Sequence, residues 1–288
     1  VLIYPELGMD NLMLKMAALR LAPVQAVAWG HPITTGLPNV DYFLSSESME
    51  TAQGDLHYSE KLMRLPNLGL WLEPLHPPAP AKSRSDLGLP ESGDLYLSCQ
   101  SLFKILPQDD SLIVGIAASN PRSRFAFIAH PTEAVTAAFV NRLRDCFTAH
   151  DVPLGDRLHI LPRLNTADYL CVNQLADVFL DNPSWSGGMT TLEALACGLV
   201  PVTLPGPMMR QRHTAAILKQ IGVTDTIAKN NADYVEIAAR LGRDSEFRHS
   251  LQTQIAQNRH RLYRDEAALS ALEGFLQKAV HLSLRSAA

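Results

Sequence analysis

Residues 174–206, QLADVFLDNPSWSGGMTTLEALACGLVPVTLPG, constrain the fold of this chain more than any other stretch. An apolar strand over residues 178–180 ends in Asp181 and Pro183 and runs into a small-residue loop, Ser186, Gly187 and Gly188. A helix is predicted to open at Thr190 or Thr191, and a second buried strand over residues 200–204 follows Gly198. Strand, glycine loop, helix N-terminus, strand is the order by which α/β proteins set free backbone N–H groups and the positive end of a helix against a phosphate. Glycines in such a loop let the backbone approach a ligand with no Cβ in the way.

The rest of the chain repeats the alternation. From Asp94 onward strands are predicted over 95–98, 125–129, 158–161 and 224–227, and helices over 132–150, 167–176, 212–221, 231–241, 246–261 and 267–284. In the helix over 132–150, Val135, Ala138, Phe139, Leu143 and Phe147 recur at helical spacing. Strands separated by helices of this length imply a parallel sheet covered on both faces. Ligands then sit beyond the carboxyl ends of the strands, so the loops after residues 98, 129, 161, 181 and 204 are expected to form one rim. Residues 1–75 carry three further strand candidates, 1–4, 24–28 and 42–45, with a helix over 12–21. Between the blocks, residues 76–90 hold Pro77, Pro78, Pro80 and Pro90, a connection or surface excursion that neither pairs in a sheet nor continues a helix. The expected division is therefore 1–75, a linker over 76–90, a second domain over 91–262 and a closing helix over 263–288.

Composition narrows the classes. With 288 residues, 47% hydrophobic and 19% charged, the chain has a globular make-up and room for two domains. A net charge of −4 argues against a nucleic-acid surface, which needs a clustered positive field. No apolar run approaches a membrane span, so none is expected. Cys99, Cys146, Cys171 and Cys197 are scattered and suggest neither zinc nor a disulfide frame, which favours a cytoplasmic setting. Val1 already lies in a strand candidate, from which the first domain is expected to be incomplete and the chain to be the C-terminal part of something longer.

Several residues admit two readings. Thr190 and Glu193 are spaced as a capping box, or Glu193 accepts hydrogen bonds from a ribose beside the phosphate loop. Arg210, Arg212 and His213 gather at a predicted helix start, where cations oppose the helix dipole; an anion there would reverse the penalty, or the arginines simply face water. Lys104, just past the strand ending at 98, either reaches a diphosphate or lays its stem along Phe103 and Leu106. His31, between Gly30 and Pro32, is an acid/base candidate or a turn residue, and His130 a weaker one. There is no G-x-x-x-x-G-K-[ST], no G-x-G-x-x-G after an early strand and no G-x-S-x-G elbow. No Asp-x-Asp stands at a strand end, so no metal-bridged diphosphate is expected.

Four runs in order, LAPVQAVAWGHPITTG…DYFLSS…HYSEKLMRLP, SCQSLFKILP, the opening segment, and IGVTDTIAKNNADYVEIAARLGRD, resemble the catalytic region of the O-GlcNAc transferase/SPINDLY family over roughly residues 15–260. The resemblance implies an α/β fold of GT-B type, with two facing Rossmann-like domains, a nucleotide-sugar donor and no metal or other cofactor. It also implies tetratricopeptide repeats upstream, a protein acceptor, and transfer of a sugar, GlcNAc from UDP-GlcNAc first, to Ser/Thr hydroxyls. Position by position, Lys104 matches the lysine on the donor diphosphate. Ser101 falls where a glutamine contacts the uridine or phosphate, and Phe103 where a tyrosine lies near the sugar. Gly188, Met189 and Thr190 fall on a His-Thr-Thr run that holds the diphosphate, with Gly187 before it and Thr191 after it in the same binding set, and only Thr190 is retained. Glu193 falls on the acidic ribose contact, while Trp29, Gly30 and Pro32, with His31 among them, match the loop that packs on the donor sugar. Arg212 is the first candidate for an arginine on the leaving group. The family's base-contacting positions fall near Asn165, Thr166 and Tyr169 and are not kept. The alternatives are the same fold with GDP-fucose, or with UDP-glucose and an asparagine acceptor, and a degenerate module that only binds a nucleotide or a protein.

Overall fold

Among the residues that the computed structural model describes, 1–5 and 7–286, every strand pairing is parallel, in one sheet of four strands and one of five. The two sheets belong to two units. The first comprises Val1–Glu73, Pro207–Arg212 and Arg261–Ala288, the second Pro74–Gly206 and His213–His260.

In the first unit β1 (Leu2–Tyr4), α1 (Asn11–Ala17), β2 (Gln25–Ala28), β3 (Tyr42–Ser46) and β4 (Lys61–Leu65) give a sheet in sequence order. Val24, Ala26, Leu44 and Leu65 form its core with Phe275 and Ala279 of the C-terminal helix Glu266–Ser286. Tyr42 meets Phe275 edge to face at 5.0 Å. The closing helix predicted over 263–288 thus covers the first sheet. Strand β4 escaped the sequence pattern because KLMRL carries two cations and sits at a sheet edge, where charge is tolerated and alternation is weak.

The second unit contains β5 (Asp94–Ser98), α2 (Asp110–Ser119), β6 (Ser123–Ile128), α3 (Glu133–Ala149), β7 (Leu158–Leu161), α4 (Thr166–Leu175), β8 (Val178–Leu180), α5 (Met189–Ala196), β9 (Val200–Val202), α6 (His213–Gln220), α7 (Asn231–Arg243) and α8 (Ser245–Asn258). Its sheet runs β7-β6-β5-β8-β9. The chain therefore builds outward from β5 to β7, returns, and builds the other way through β8 and β9. The reversal leaves a crevice between the carboxyl ends of β5 and β8, the place where such sheets bind ligands. Pro201 is accommodated because β9 is an edge strand.

Helix α2 was not legible, since DSLIVGIAAS is apolar on nearly every side and gives no amphipathic period. It is buried between neighbours, and a Cβ on Gly115 would stand 2.9 Å from Val235 on α7. The strand expected over 224–227 reduces to one bridge, Thr203 to Ile227. The proline-rich stretch 76–90 is anchored rather than loose. Leu87 and Leu89 enter the second core, and the Arg84 guanidinium donates to Leu175 O (2.7 Å) and Asp177 (2.9 Å). No helix among the described residues is long and apolar enough to cross a membrane.

Candidate functional site

The loop between β8 and α5 is organised by one carboxylate. Asp181 is 1% exposed; its Oδ1 accepts from Gly187 N–H (2.7 Å), and its Oδ2 accepts from Ser186 Oγ (2.7 Å) and Thr203 Oγ1 (2.6 Å). Burial pushes its pKa up to about 6, against the pull of these donors. Gly187 O accepts from Thr191 Oγ1 (2.9 Å), and Thr214 Oγ1 lies 2.7 Å from that hydroxyl. The loop must be glycine at 187, because a Cβ there would stand 2.5 Å from Thr190 Oγ1 and 2.7 Å from Thr191 Oγ1.

Helix α5 opens at Met189 with Gly188 as its N-cap, one or two residues earlier than its sequence suggests. This overturns the capping-box reading. Thr190 is the second helical residue and caps nothing, and Glu193 is the fifth. With Gly187 N–H taken by Asp181, the amides of Gly188, Met189 and Thr190 have no acceptor among the described residues. Thr190 Oγ1 is also buried without a partner. Four donors at the positive end of a helix are thus left for a ligand to satisfy.

Lys104 stands beside this mouth. It ends a 3-10 turn after β5, and its carbonyl accepts from Asn182 Nδ2 at 2.6 Å, tying the turn to the β8 loop. Its ammonium lies 4.8 Å from the centre of the Trp185 ring. Desolvation lowers its pKa, and no carboxylate among the described residues offsets this. An arriving anion would supply the missing counter-charge. His213, at the start of α6, is no part of that positive field. It is buried, its Nδ1 lies 3.1 Å from Ser186 O, and burial, with a smaller push from Lys104, takes its pKa down to about 4.

On the other side of Thr190 opens a cleft of about 440 Å³, lined by Gln100, Ser101, His130, Arg163, Tyr169, Thr190 and Glu193. The loops after β5, β6 and β7 and the start of α5 all contribute, which meets the rim expectation in part: the loop after residue 204 does not line this cleft. Glu193 is half-buried, and desolvation raises its pKa, with Tyr169 acting to lower it. Tyr169 Oη is buried near Glu193 and Cys99 without a hydrogen bond of good geometry to either. Phe103 is exposed at the edge and meets the His130 ring edge-on at 5.7 Å. Arg163 was not singled out from the sequence. Its only signal is its place two residues after a strand end.

Of the predicted set, the second unit therefore gathers Ser101, Phe103, Lys104, Gly187, Gly188, Met189, Thr190, Thr191 and Glu193 around one crevice. The others lie in the first unit. Arg212 follows a 3-10 turn, Met209–Gln211, and its Nε donates to Met49 O at 2.9 Å. Trp29 is buried, and Gly30 N–H donates to Pro5 O at 3.2 Å. His31 O accepts from Ile33 N–H within a tight turn, beside buried Pro32. The loop is clamped by a residue that the sequence did not disclose: Glu60 Oε1 accepts from Thr35 N–H (2.7 Å) and Glu60 Oε2 from Thr34 Oγ1 (2.7 Å).

Two α/β units with parallel sheets, together with the likeness to solved glycosyltransferases, give the chain the GT-B class of fold. The chain belongs to glycosyl transferase family 41, whose family model matches residues 77–266. It is 30% identical over 238 residues to the SPINDLY protein of Solanum lycopersicum, named a probable UDP-N-acetylglucosamine–peptide N-acetylglucosaminyltransferase, covering 79% of this chain and 24% of that one. It is 25% identical over 261 residues to a UDP-glucose:protein N-β-glucosyltransferase of Actinobacillus pleuropneumoniae, covering 88% and 40%. A solved structure of a variant of the Thermobaculum terrenum O-GlcNAc transferase superposes with a TM-score of 0.80 at 27% identity, covering all of this chain and 54% of that one. The chain thus spans about a quarter to a half of the length of these relatives.

Proposed function

We propose that this chain carries the donor-binding machinery of a protein glycosyltransferase that moves a sugar, GlcNAc from UDP-GlcNAc first, to Ser/Thr hydroxyls without a metal. One observation carries this reading: a desolvated lysine without a carboxylate partner stands beside four unsatisfied donors at the mouth of α5, next to a cleft of nucleoside size. In transfer, the acceptor oxygen bonds to the anomeric carbon, the bond from that carbon to the diphosphate oxygen breaks, and the hydroxyl proton passes to the departing phosphate. Charge grows on the diphosphate as that bond stretches. Donors already in place, at no reorganisation cost, stabilise it there more than in the ground state. The retained lysine and acidic position support the reading, as do relatives named for peptide GlcNAc transfer.

The test is calorimetric and catalytic. UDP is expected to bind the purified chain more tightly than GDP, and Lys104→Ala in the full-length protein to lower kcat by roughly two to three orders of magnitude, with EDTA leaving the wild-type rate unchanged. Unchanged turnover in Lys104→Ala would remove the lysine from the mechanism. Glucose transfer to asparagine is the second reading, favoured by the likeness to the Actinobacillus enzyme. Labelled UDP-glucose against UDP-GlcNAc, followed by mapping of the modified side chain, separates the two.

A further inference from the structure

The Asp181 network does more than fill space under the loop. Three donors from three places converge on one buried carboxylate: a backbone amide of the loop, a loop hydroxyl, and a hydroxyl just beyond β9. Ser186 Oγ, while donating to Asp181, accepts from Thr214 N–H at 2.9 Å and so ties the loop to α6 as well. The next peptide is held at its other end. Gly187 O is turned inward to the hydroxyls of Thr191 (2.9 Å) and Thr214 (3.3 Å). A trans peptide is planar, with its C=O and N–H on opposite sides. Whatever holds Gly187 O inward therefore holds the Gly188 N–H outward. That amide is the first of the three without an acceptor.

We infer that Asp181 is the positioning residue of the anion site: it anchors Gly187 N–H directly and, through Ser186 Oγ, steadies the Thr214 that helps hold Gly187 O, so that both peptides of Gly187 are fixed and the Gly188 amide is presented to the donor's diphosphate. The inference rests on the diphosphate reading above and adds a residue that touches no ligand itself. Asp181 acts only through Gly187 and Ser186, so its loss should be felt by the phosphates and not by the nucleoside. Asparagine at 181 keeps the size but replaces one acceptor oxygen with a donor, which cannot face the donors now gathered there.

The experiment compares UDP and uridine binding by calorimetry in the wild-type chain, Asp181→Asn, Thr214→Val and Thr203→Val, with circular dichroism and thermal melts as controls for folding. Asp181→Asn is expected to weaken UDP about tenfold, the loss of a hydrogen bond to a charged group, while uridine binding stays within twofold. Thr214→Val, which removes one of the two hydroxyls on Gly187 O and the hydroxyl contact to Ser186 Oγ, should shift the same ratio. Thr203→Val removes a donor to the same carboxylate from the strand side and should lower the melting temperature without moving the ratio. Equal weakening of UDP and uridine, or an unchanged ratio in both Asp181→Asn and Thr214→Val, would overturn the inference. If Asp181→Asn does not fold, Thr214→Val decides alone. A wild-type chain that binds uridine but gains nothing from the diphosphate would instead overturn the underlying reading.

Discussion

At the scale of single residues, environment decides between readings that chemistry alone leaves even. Glu193 is acidic and three positions from a threonine, which suits a helix cap as well as a ribose. The structure removes the first choice by starting α5 at Met189, and leaves Glu193 half-buried on the wall of the cleft with its pKa raised, chiefly by desolvation. A carboxylate so placed gains by accepting from a sugar hydroxyl. Glu193→Ala is therefore expected to cost UDP about 1.5 kcal/mol, the order of a charge-assisted hydrogen bond, and to abolish the preference for UDP over 2′-deoxy-UDP. Calorimetry with both nucleotides checks it; a preference that survives would place the ribose elsewhere. Lys104 was ambiguous for the same reason, and its position over Trp185 with no carboxylate partner is what tips it.

Elements show where the sequence pattern carried through and where it broke. β8 falls where its apolar run puts it, because a buried parallel strand is a short apolar run with turn residues at its ends, and β7 falls in place as well although it is an only partly buried edge strand. Helix α2 and strand β4 broke the pattern for opposite reasons: one is buried on too many sides to show a stripe, the other is an edge that tolerates cations. The glycine loop was legible as a loop but not as a strung network, since Asp181, Ser186, Thr191, Thr203 and Thr214 meet only after folding. Gly187→Ala tests the element directly. Its Cβ would overlap both threonine hydroxyls, so a loss of about 1–3 kcal/mol of stability is expected, together with weaker UDP binding, by denaturant titration and calorimetry. On the first unit, Glu60 plays a comparable part for the 29–35 loop. Burial raises its pKa, but hydrogen bonds from Thr35 and Thr34 outweigh this and hold it below the ordinary value. Stability from this clamp is present above the unfolded carboxylate range and lost as pH falls through the folded pKa. Glu60→Gln should remove that acid-limb dependence, read by denaturant titrations below pH 5.

For the whole molecule, two buried groups of the second unit set opposing slopes of stability against pH. Asp181 has its folded pKa raised to about 6, so between the unfolded carboxylate value and 6 the folded state holds more protons, and stability falls as pH rises. His213 has its folded pKa lowered to about 4, so between about 4 and 6.5 the unfolded state holds more protons, and stability rises with pH. Around them, Tyr234 donates to Asp181 O with its own pKa raised well above the usual phenol value, first by burial, and Lys104 is the nearby cation. The two slopes oppose each other in the wild type. Asp181→Asn is expected to leave the histidine slope unopposed and steepen the loss of stability between pH 6 and 4.5, whereas His213→Gln should reverse it. Urea titrations across that range check both signs. Parallel slopes in all three proteins would show that neither group titrates as described.

The sequence by itself determined the α/β alternation, the glycine loop between β8 and α5, and the candidacy of Lys104 and Glu193. These are written locally, in runs of apolar residues, turn residues and spacings that the chain carries before it folds. Only the tertiary structure decided which loop amides stay free, that His213 is neutral, and that Asp181 and Glu60 anchor loops whose chemistry they do not touch. Those properties arise from burial and from partners dozens of residues apart, and a carboxylate's role is set by the donors that surround it.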